Sequence, residues 1–301
     1  MARITEWCAV AALAWLMPFY APATTPVDYA ASVSKARVER VDQLKCMDGY
    51  LALTASGWLL PGANSVGSAD DNRFQVPGAP AHLGTLELGA DGEVSLRLRD
   101  SHGVDIDGKP AQSVSVLHTQ GPEGKQVPTR VNFASSYLYV VENGDQRGLR
   151  VKDNDATLRT HFPGFDYFPI DPSWRIEATW VPFDPPGSLK IGYVTGTVED
   201  TPIPGKAVFQ HDGKMFELQP IAKDGRLFFI FSDRTAGKLT YGGARFLYAE
   251  APKNGKVVLD FNLAENPPCA ITPHVVCPLA PPENRLKLPI TAGEKKFREQ
   301  D

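Results

Sequence analysis

The residues whose types and spacing could do chemistry crowd the last third of the chain. Cys269-x4-His274-x2-Cys277 places three soft donors within nine residues. With a fourth ligand from elsewhere such a set could hold zinc, whereas two close cysteines in an oxidising compartment close a disulfide around a short loop. No second ligand pair accompanies them, so the disulfide is the expected use and no metal or cofactor is expected. Upstream, Asp233, Thr235, Tyr241 and Arg245 surround a turn between two aromatic strands, and Asp260, Asn262 and Asn266 follow the next strand. Asn284, Arg285 and Glu294 stand further along. These polar groups have two uses: they can satisfy the backbone of an irregular segment, or they can line a pocket for an anionic or hydroxylated ligand. Arg245 is the sharpest case. It follows Gly242-Gly-Ala244 and runs into Phe246 and Leu247, and a guanidinium in such company is costly to bury unless paired. Asp233 and Asp260 are the expected partners, with Arg245 as the charged floor of any pocket there.

Other candidates are weaker. His161, Asp166 and His211 could supply acid, base or ligands if the fold joined them. Ser135, Ser136 and Ser232 lack the strand-turn-helix setting of an activated nucleophile. Phe165, Tyr167, Phe168 and Trp174 read as core and module seam rather than as a carbohydrate platform.

The elements that must position these residues are mostly strands. Tyr29 to Cys46 is charged, free of Gly and Pro, and carries Val33, Val41 and Leu44 at helical spacing. After Gly49 the dominant pattern alternates with period two: Leu83, Leu86, Leu88, then Val94, Leu96, Leu98, then Val104, Ile106, then Val114, Val116. Short strands at this spacing, separated by Gly- and Asp-rich turns, predict a sandwich or barrel over residues 49–152. A second antiparallel β module is expected over 153–301, with strands at Trp174 to Phe183, Ile191 to Val198, Lys206 to Gln210, Met215 to Pro220, Arg226 to Phe231, Ala244 to Ala249 and Lys256 to Phe261. Asp212-Gly213 and Asp224-Gly225 mark hairpins. From Asn266 on, repeated prolines predict an irregular arm that closes the module.

Composition bounds the function. The chain has 301 residues and a net charge of −4, which argues against a polyanion binder such as a nucleic-acid protein. Arg3, the apolar run through Tyr20 and the small residues Ala21-Pro22-Ala23 read as a secretory signal over residues 1–23, followed by a helical lead-in over 24–48. The mature protein is then expected to be periplasmic or secreted, with no spanning segment, and Cys46 is left as a single thiol expected to be buried.

Two resemblances follow from motifs. Asp233-Arg-Thr-Ala-Gly237, Thr240-Tyr-Gly-Gly-Ala-Arg-Phe-Leu247, Asp260-Phe-Asn-Leu-Ala264, Asn266-Pro-Pro-Cys-Ala270, Cys277-Pro-Leu-Ala-Pro-Pro-Glu-Asn-Arg-Leu286 and Ala292-Gly-Glu294 resemble the family called domain of unknown function 1684. Arg37, Arg40, Leu44, Gly57-Trp58-Leu59 and Leu149-Arg-Val-Lys-Asp153 extend that resemblance over nearly the whole mature chain; it implies no activity. Asn64-Ser-Val-Gly-Ser-Ala-Asp-Asp71, Ala79-Pro-Ala-His82 and Ser101-His-Gly-Val-Asp-Ile-Asp-Gly108 are similar in loop order to a forkhead-associated domain, an eleven-strand sandwich that reads phosphothreonine. That family has Arg, Ser and Asn where this chain has Ser68, Ala79 and Asp107, so the resemblance implies the sandwich without the phosphopeptide chemistry.

The resulting expectation is a mainly β, exported protein that binds a small molecule or an envelope protein through a polar pocket in the second module. Its alternatives are a hydrolase using Asp233, Asp260 or His161, and a purely structural envelope protein.

Overall fold

The computed structural model describes residues 26–121 and 126–298; the expected signal segment lies outside them. The chain opens with helix α1 (Pro26–Lys45). Eleven strands follow: β1 (Leu53–Trp58), β2 (Gly62–Gly67), β3 (Phe74–Gln75), β4 (Gly84–Leu88), β5 (Val94–Leu98), β6 (Val104–Ile106), β7 (Lys109–Pro110), β8 (Val114–Leu117), β9 (Val131–Phe133), β10 (Ser136–Asn143) and β11 (Gln146–Asp153). They form a six-stranded sheet in the order β1-β11-β10-β9-β6-β7 and a five-stranded sheet in the order β3-β2-β4-β5-β8. The alternating residues read from the sequence, Leu86, Val94 and Leu96 on the five-stranded sheet and Val104 on the six-stranded one, join Leu138, Val140, Leu149 and Val151 in one core; on β8 the expected Val114 and Val116 face solvent and Leu117 turns into the core instead. Two sheets sharing one core make this module the β-sandwich that the alternation predicted.

After the short helix α2 (Thr157–Thr160) the second module is built from β12 (Arg175–Gly192), β13 (Val198–His211), β14 (Lys214–Leu218), β15 (Ile221–Lys223), β16 (Arg226–Phe231), β17 (Arg245–Ala249) and β18 (Lys256–Asp260). One sheet runs β14-β13-β12-β18 and the other β15-β16-β17. Asp212 and Gly213, and Asp224 and Gly225, all take positive φ at the β13–β14 and β15–β16 turns, as two-residue hairpins with matching twist require. Strand β16 is apolar on both faces because both are covered. Leu227, Phe229 and Phe231 enter the main core, and Phe228 and Ile230 enter a second cluster with Ile191, Ile203 and Cys277.

Two expected strands are redrawn. Trp174 to Phe183 and Ile191 to Val198 are separated in the sequence by Asp184-Pro185-Pro186, yet β12 runs through that segment to Gly192. The β12–β13 register shifts between Pro182 and Gly187, so the two prolines, which have no N–H to give, sit in a bulge rather than in the ladder. The turn then falls at Tyr193–Thr197, where the Tyr193 N–H donates to the Thr197 carbonyl at 2.9 Å.

The tail contains no regular strand, yet its Leu286, Leu288, Ile290 and Ala292 complete the main core. Side chains supply the hydrogen bonds that a strand would have made. Asn284 donates to the Gln219 and Ile230 carbonyls at 2.8 and 3.0 Å and accepts the Gln219 N–H at 2.8 Å. Arg245, only 1 % exposed, pairs with Asp233 at 3.0 Å and donates to the carbonyls of Ile290, at 3.1 Å, and Ala292. Asp233 also accepts the Ile290 N–H at 3.3 Å and the Thr235 hydroxyl at 2.6 Å.

Removing the guanidinium would strand a buried carboxylate and two tail carbonyls. Arg245→Met is therefore expected to lower the free energy of unfolding by about 3 kcal/mol or more. Urea denaturation measures it, and a midpoint equal to wild type would contradict this role.

Candidate functional site

The predicted polar residues separate into two groups. Asp233, Thr235 and Arg245 form the closed tail anchor just described, so the expectation that Arg245 floors a pocket is corrected: residues 290–293 lie over it. Asn284 and Arg285 also serve the tail, with Arg285 donating to the Ala280 carbonyl at 3.0 Å. Tyr241 is half-buried beside Cys269, and burial pushes its hydroxyl up to about 12. Cys269 and Cys277 are free thiols in contact rather than a bonded pair, the Cys269 N–H donating to the Cys277 sulfur at 3.2 Å. Cys46, expected to be buried, is exposed, because the helix turns its Leu44 stripe inward two residues earlier.

The His and Ser candidates are not gathered into a site. The exposed His161 pairs with the Thr160 hydroxyl at 2.9 Å, His211 stacks on Trp174 at 4.3 Å, and Asp166 accepts the Lys295 N–H through its backbone. Ser232 is engaged through backbone bonds to Asn284 and Leu286, and Ser135 donates to Asp153 at 2.7 Å. Among the described residues no group of three or more His, Cys, Asp or Glu is placed to hold a metal.

The remaining predicted residues, Asp260, Asn262 and Asn266, lie where α1 crosses the second module. Tyr29, Val33, Arg37, Arg40 and Leu44 are spaced to fall along one stripe of the helix. The Tyr29 hydroxyl lies 2.8 Å from Asp260 and accepts from Asn262 at 2.9 Å. Arg37 stacks over the Tyr167 ring at 4.2 Å. Arg40 reaches Glu265 at 2.8 Å and Glu294 at 3.3 Å and donates to the Asn266 carbonyl at 2.9 Å. Glu294, 2 % exposed, accepts the Asn266 N–H at 2.6 Å and its side-chain amide at 3.0 Å.

Beside this junction opens a cleft of about 570 Å³, bordered by Arg37, Arg40, Arg226, Tyr248, Glu265 and Glu294. Arg226 lies over Tyr248 at 4.7 Å, and the Tyr167 hydroxyl and the Arg37 Nε are buried without a hydrogen-bond partner. Burial raises the Glu265 carboxyl to about 7; Arg40 draws it down while Glu294 adds to the rise. Burial likewise raises Glu294, against the pull of Arg40 and the Asn266 bonds. The arrangement can bind a polar molecule and can exchange a proton near neutrality. Glu265 was missed in the sequence; the available signal was Arg37 and Arg40 on one helix face, which called for acidic partners elsewhere.

Residues 160–295 match the family described as protein of unknown function (DUF1684), and through this stretch the chain belongs to it. The match spans the second module and leaves out α1 and the sandwich, so the expected resemblance over nearly the whole mature chain is narrowed. An uncharacterized protein of Haloarcula marismortui, solved by NMR in solution, is 32 % identical over 46 % of this chain and 78 % of its own, with a TM-score of 0.38. EmbR of Mycobacterium tuberculosis, solved with a low-affinity phosphopeptide, is 12 % identical over 43 % of this chain and 32 % of its own, with a TM-score of 0.22. The fold assignment rests on the sheets themselves. No curated protein matches the sequence.

Because the Glu265 carboxyl sits higher in the folded chain than its ordinary 4.5, the folded state holds more protons than the unfolded one between pH 4.5 and 7. Its contribution to stability is then present at low pH and lost as pH rises through that window. Relative to Glu265→Gln, wild type should lose roughly 3 kcal/mol over the window. Urea midpoints of both proteins across the range measure this, and a difference that stays flat with pH would contradict it.

Proposed function

We propose that the protein is exported and binds a small anionic, hydroxylated molecule in the cleft between α1 and the second module. The observation that carries this reading is the charge at the rim. Arg175, Arg226, Lys253 and Lys256 border the opening, and Arg226 makes no ion pair among the described residues. Of the acids nearby, Asp260 holds Tyr29 and Glu39 pairs with Lys35 at 3.6 Å, while Glu250 also borders the cleft, so cations outnumber acids at the opening by four to three. A carboxylate or phosphate on the ligand would take Arg226 without breaking an existing pair, and the guanidinium fork suits either group. Ligand hydroxyls would meet Glu265 and the unpartnered Tyr167 hydroxyl deeper in. The volume is ordinary for a small-molecule site.

A second reading has its own observation. Glu265 and Glu294 converge on one arginine, and a carboxyl near 7 in a cleft suits general acid–base hydrolysis. On this reading Glu265 transfers the proton, in place of Asp233, Asp260 and His161.

Export is supported by the order of charged, apolar and small residues over 1–23. In an oxidising compartment the contacting thiols of Cys269 and Cys277 would pass two electrons and two protons to a disulfide oxidant of the host and become joined.

A thermal-shift screen of hydroxy acids and sugar acids should find at least one that raises the melting temperature by several degrees at about 100 times its Kd, with the shift lost in Arg226→Met. A ligand that stabilises that variant equally would remove the rim from the account. For the compartment, peptide mapping of protein from its host, without reduction, should show a new terminus near Thr24 and a Cys269–Cys277 link. Intact Met1 with both thiols free would contradict export.

A further inference from the structure

The segment Leu149-Arg150-Val151-Lys152-Asp153 plays no part in the cleft, and its alternation has a second consequence. On β10 and β11, Leu138, Val140, Leu149 and Val151 turn into the sandwich core. Their neighbours face the other way, and across the ladder Tyr137 stands opposite Lys152 and Tyr139 opposite Arg150. The outer face of such a sheet normally meets water. Here Tyr137 and Tyr139 are each only 5 % exposed and Lys152 is 8 % exposed. The residues just after α1, from Asp48 to Tyr50, contribute to a cavity of about 280 Å³ over this face, which Arg130 also lines.

The charges in this cavity do not cancel. Asp48 is its one carboxylate, and it is taken: Arg130 reaches its two oxygens at 3.0 and 3.2 Å, and the Tyr137 hydroxyl donates to it as well. Lys152 donates to the Asp48 backbone carbonyl and lies 5.8 Å from the Tyr139 ring centre. Arg150 hydrogen-bonds to Tyr139. Neither Lys152 nor Arg150 has a carboxylate partner of its own among the described residues. Burial pulls the Lys152 ammonium below its ordinary range, Asp48 opposes this, and Arg150 adds to it. An ammonium has three donors and a guanidinium five, with no acceptor on either, so the cavity holds a surplus of donors and about two positive charges.

We propose that this cavity on the outer face of the six-stranded sheet binds a phosphate group, free or carried on a small ester, through Arg150, Lys152 and the neighbouring tyrosine hydroxyls. The excess of two cations matches a dianion, and the acceptor oxygens of phosphate match the unspent donors. The site is separate from the cleft: the two share no lining residue.

The test uses the whole chain at constant ionic strength, titrated calorimetrically with inorganic phosphate and with glycerol 3-phosphate, chloride serving as control. Binding with a Kd below about 1 mM is expected for at least one of them. Arg150→Gln should weaken it at least tenfold while Arg226→Met leaves it intact, which keeps this site distinguishable from the cleft. Equal affinity for the two probes assigns the free anion, and tighter ester binding assigns a phosphate ester. Because Lys152 is buried and its replacement could unfold the sheet, the half-buried Arg150 carries the test, with the unliganded melting temperature of the variant as the control for folding. No binding of either probe to wild type, or undiminished binding to a folded Arg150→Gln, would overturn the proposal.

Discussion

The buried pair of Arg245 and Asp233 holds the rest of the second module in place. A proline-rich tail cannot pair as a strand, since each proline lacks a donor and its neighbours are steered out of regular geometry. Left alone, its carbonyls would be buried without partners at a cost of about 1–3 kcal/mol each. Arg245 and Asp233 solve this by serving both chains: the carboxylate takes an N–H of the tail, and the guanidinium takes two of its carbonyls. With Ile290 and Ala292 fixed, the next turn of the tail has little freedom. Gly293 completes the fit: a β-carbon there would lie 2.4 Å from the Ala264 carbonyl oxygen and 2.9 Å from the Arg245 guanidinium.

This placement delivers Glu294 to the helix. Its backbone N–H reaches Ala264 at 2.8 Å, and its carboxylate meets Arg40 from one side while Glu265 meets it from the other. Glu265 is itself held against β17, through paired backbone bonds with Phe246, the residue after Arg245. The tail anchor and the helix anchor are therefore adjoining parts of one polar network. Unpaired members of such a network are costly; here the Arg245 Nε is left open within the tail anchor, and the Arg37 Nε and the Tyr167 hydroxyl are left open at the edge of the cleft. The cleft exists because a charged helix docks by ion pairs and tyrosine bonds, which leave more space than interdigitated apolar side chains would.

Local pattern made much of the fold legible. The α1 helix, most of the alternating strands of the sandwich and the Asp-Gly hairpins depend on residues close in sequence and formed where the pattern placed them, whereas β8 formed in place with its expected inward pair, Val114 and Val116, turned to solvent. The burial of Arg245 against Asp233 was legible too, because a guanidinium between Gly-Gly-Ala and Phe-Leu has few other options. What was not legible depended on distant pairing. Continuation of β12 through two prolines needed a bulge whose position the partner strand sets. Glu265 gained its environment only when residues from α1 and from position 294 converged on it. The outward face of β10 and β11 reads as solvated from alternation alone, and only the chain after α1 crossing it makes Lys152 nearly buried.

Arg40 and Glu294 act as one unit joining helix, tail and cleft. A double-mutant cycle on urea stability with Arg40→Met, Glu294→Gln and the double variant tests it most directly. A coupling of about 1–3 kcal/mol is expected, as groups in one buried network show. Single-mutant losses that add to within about 0.5 kcal/mol would contradict it, because that is how independent sites behave.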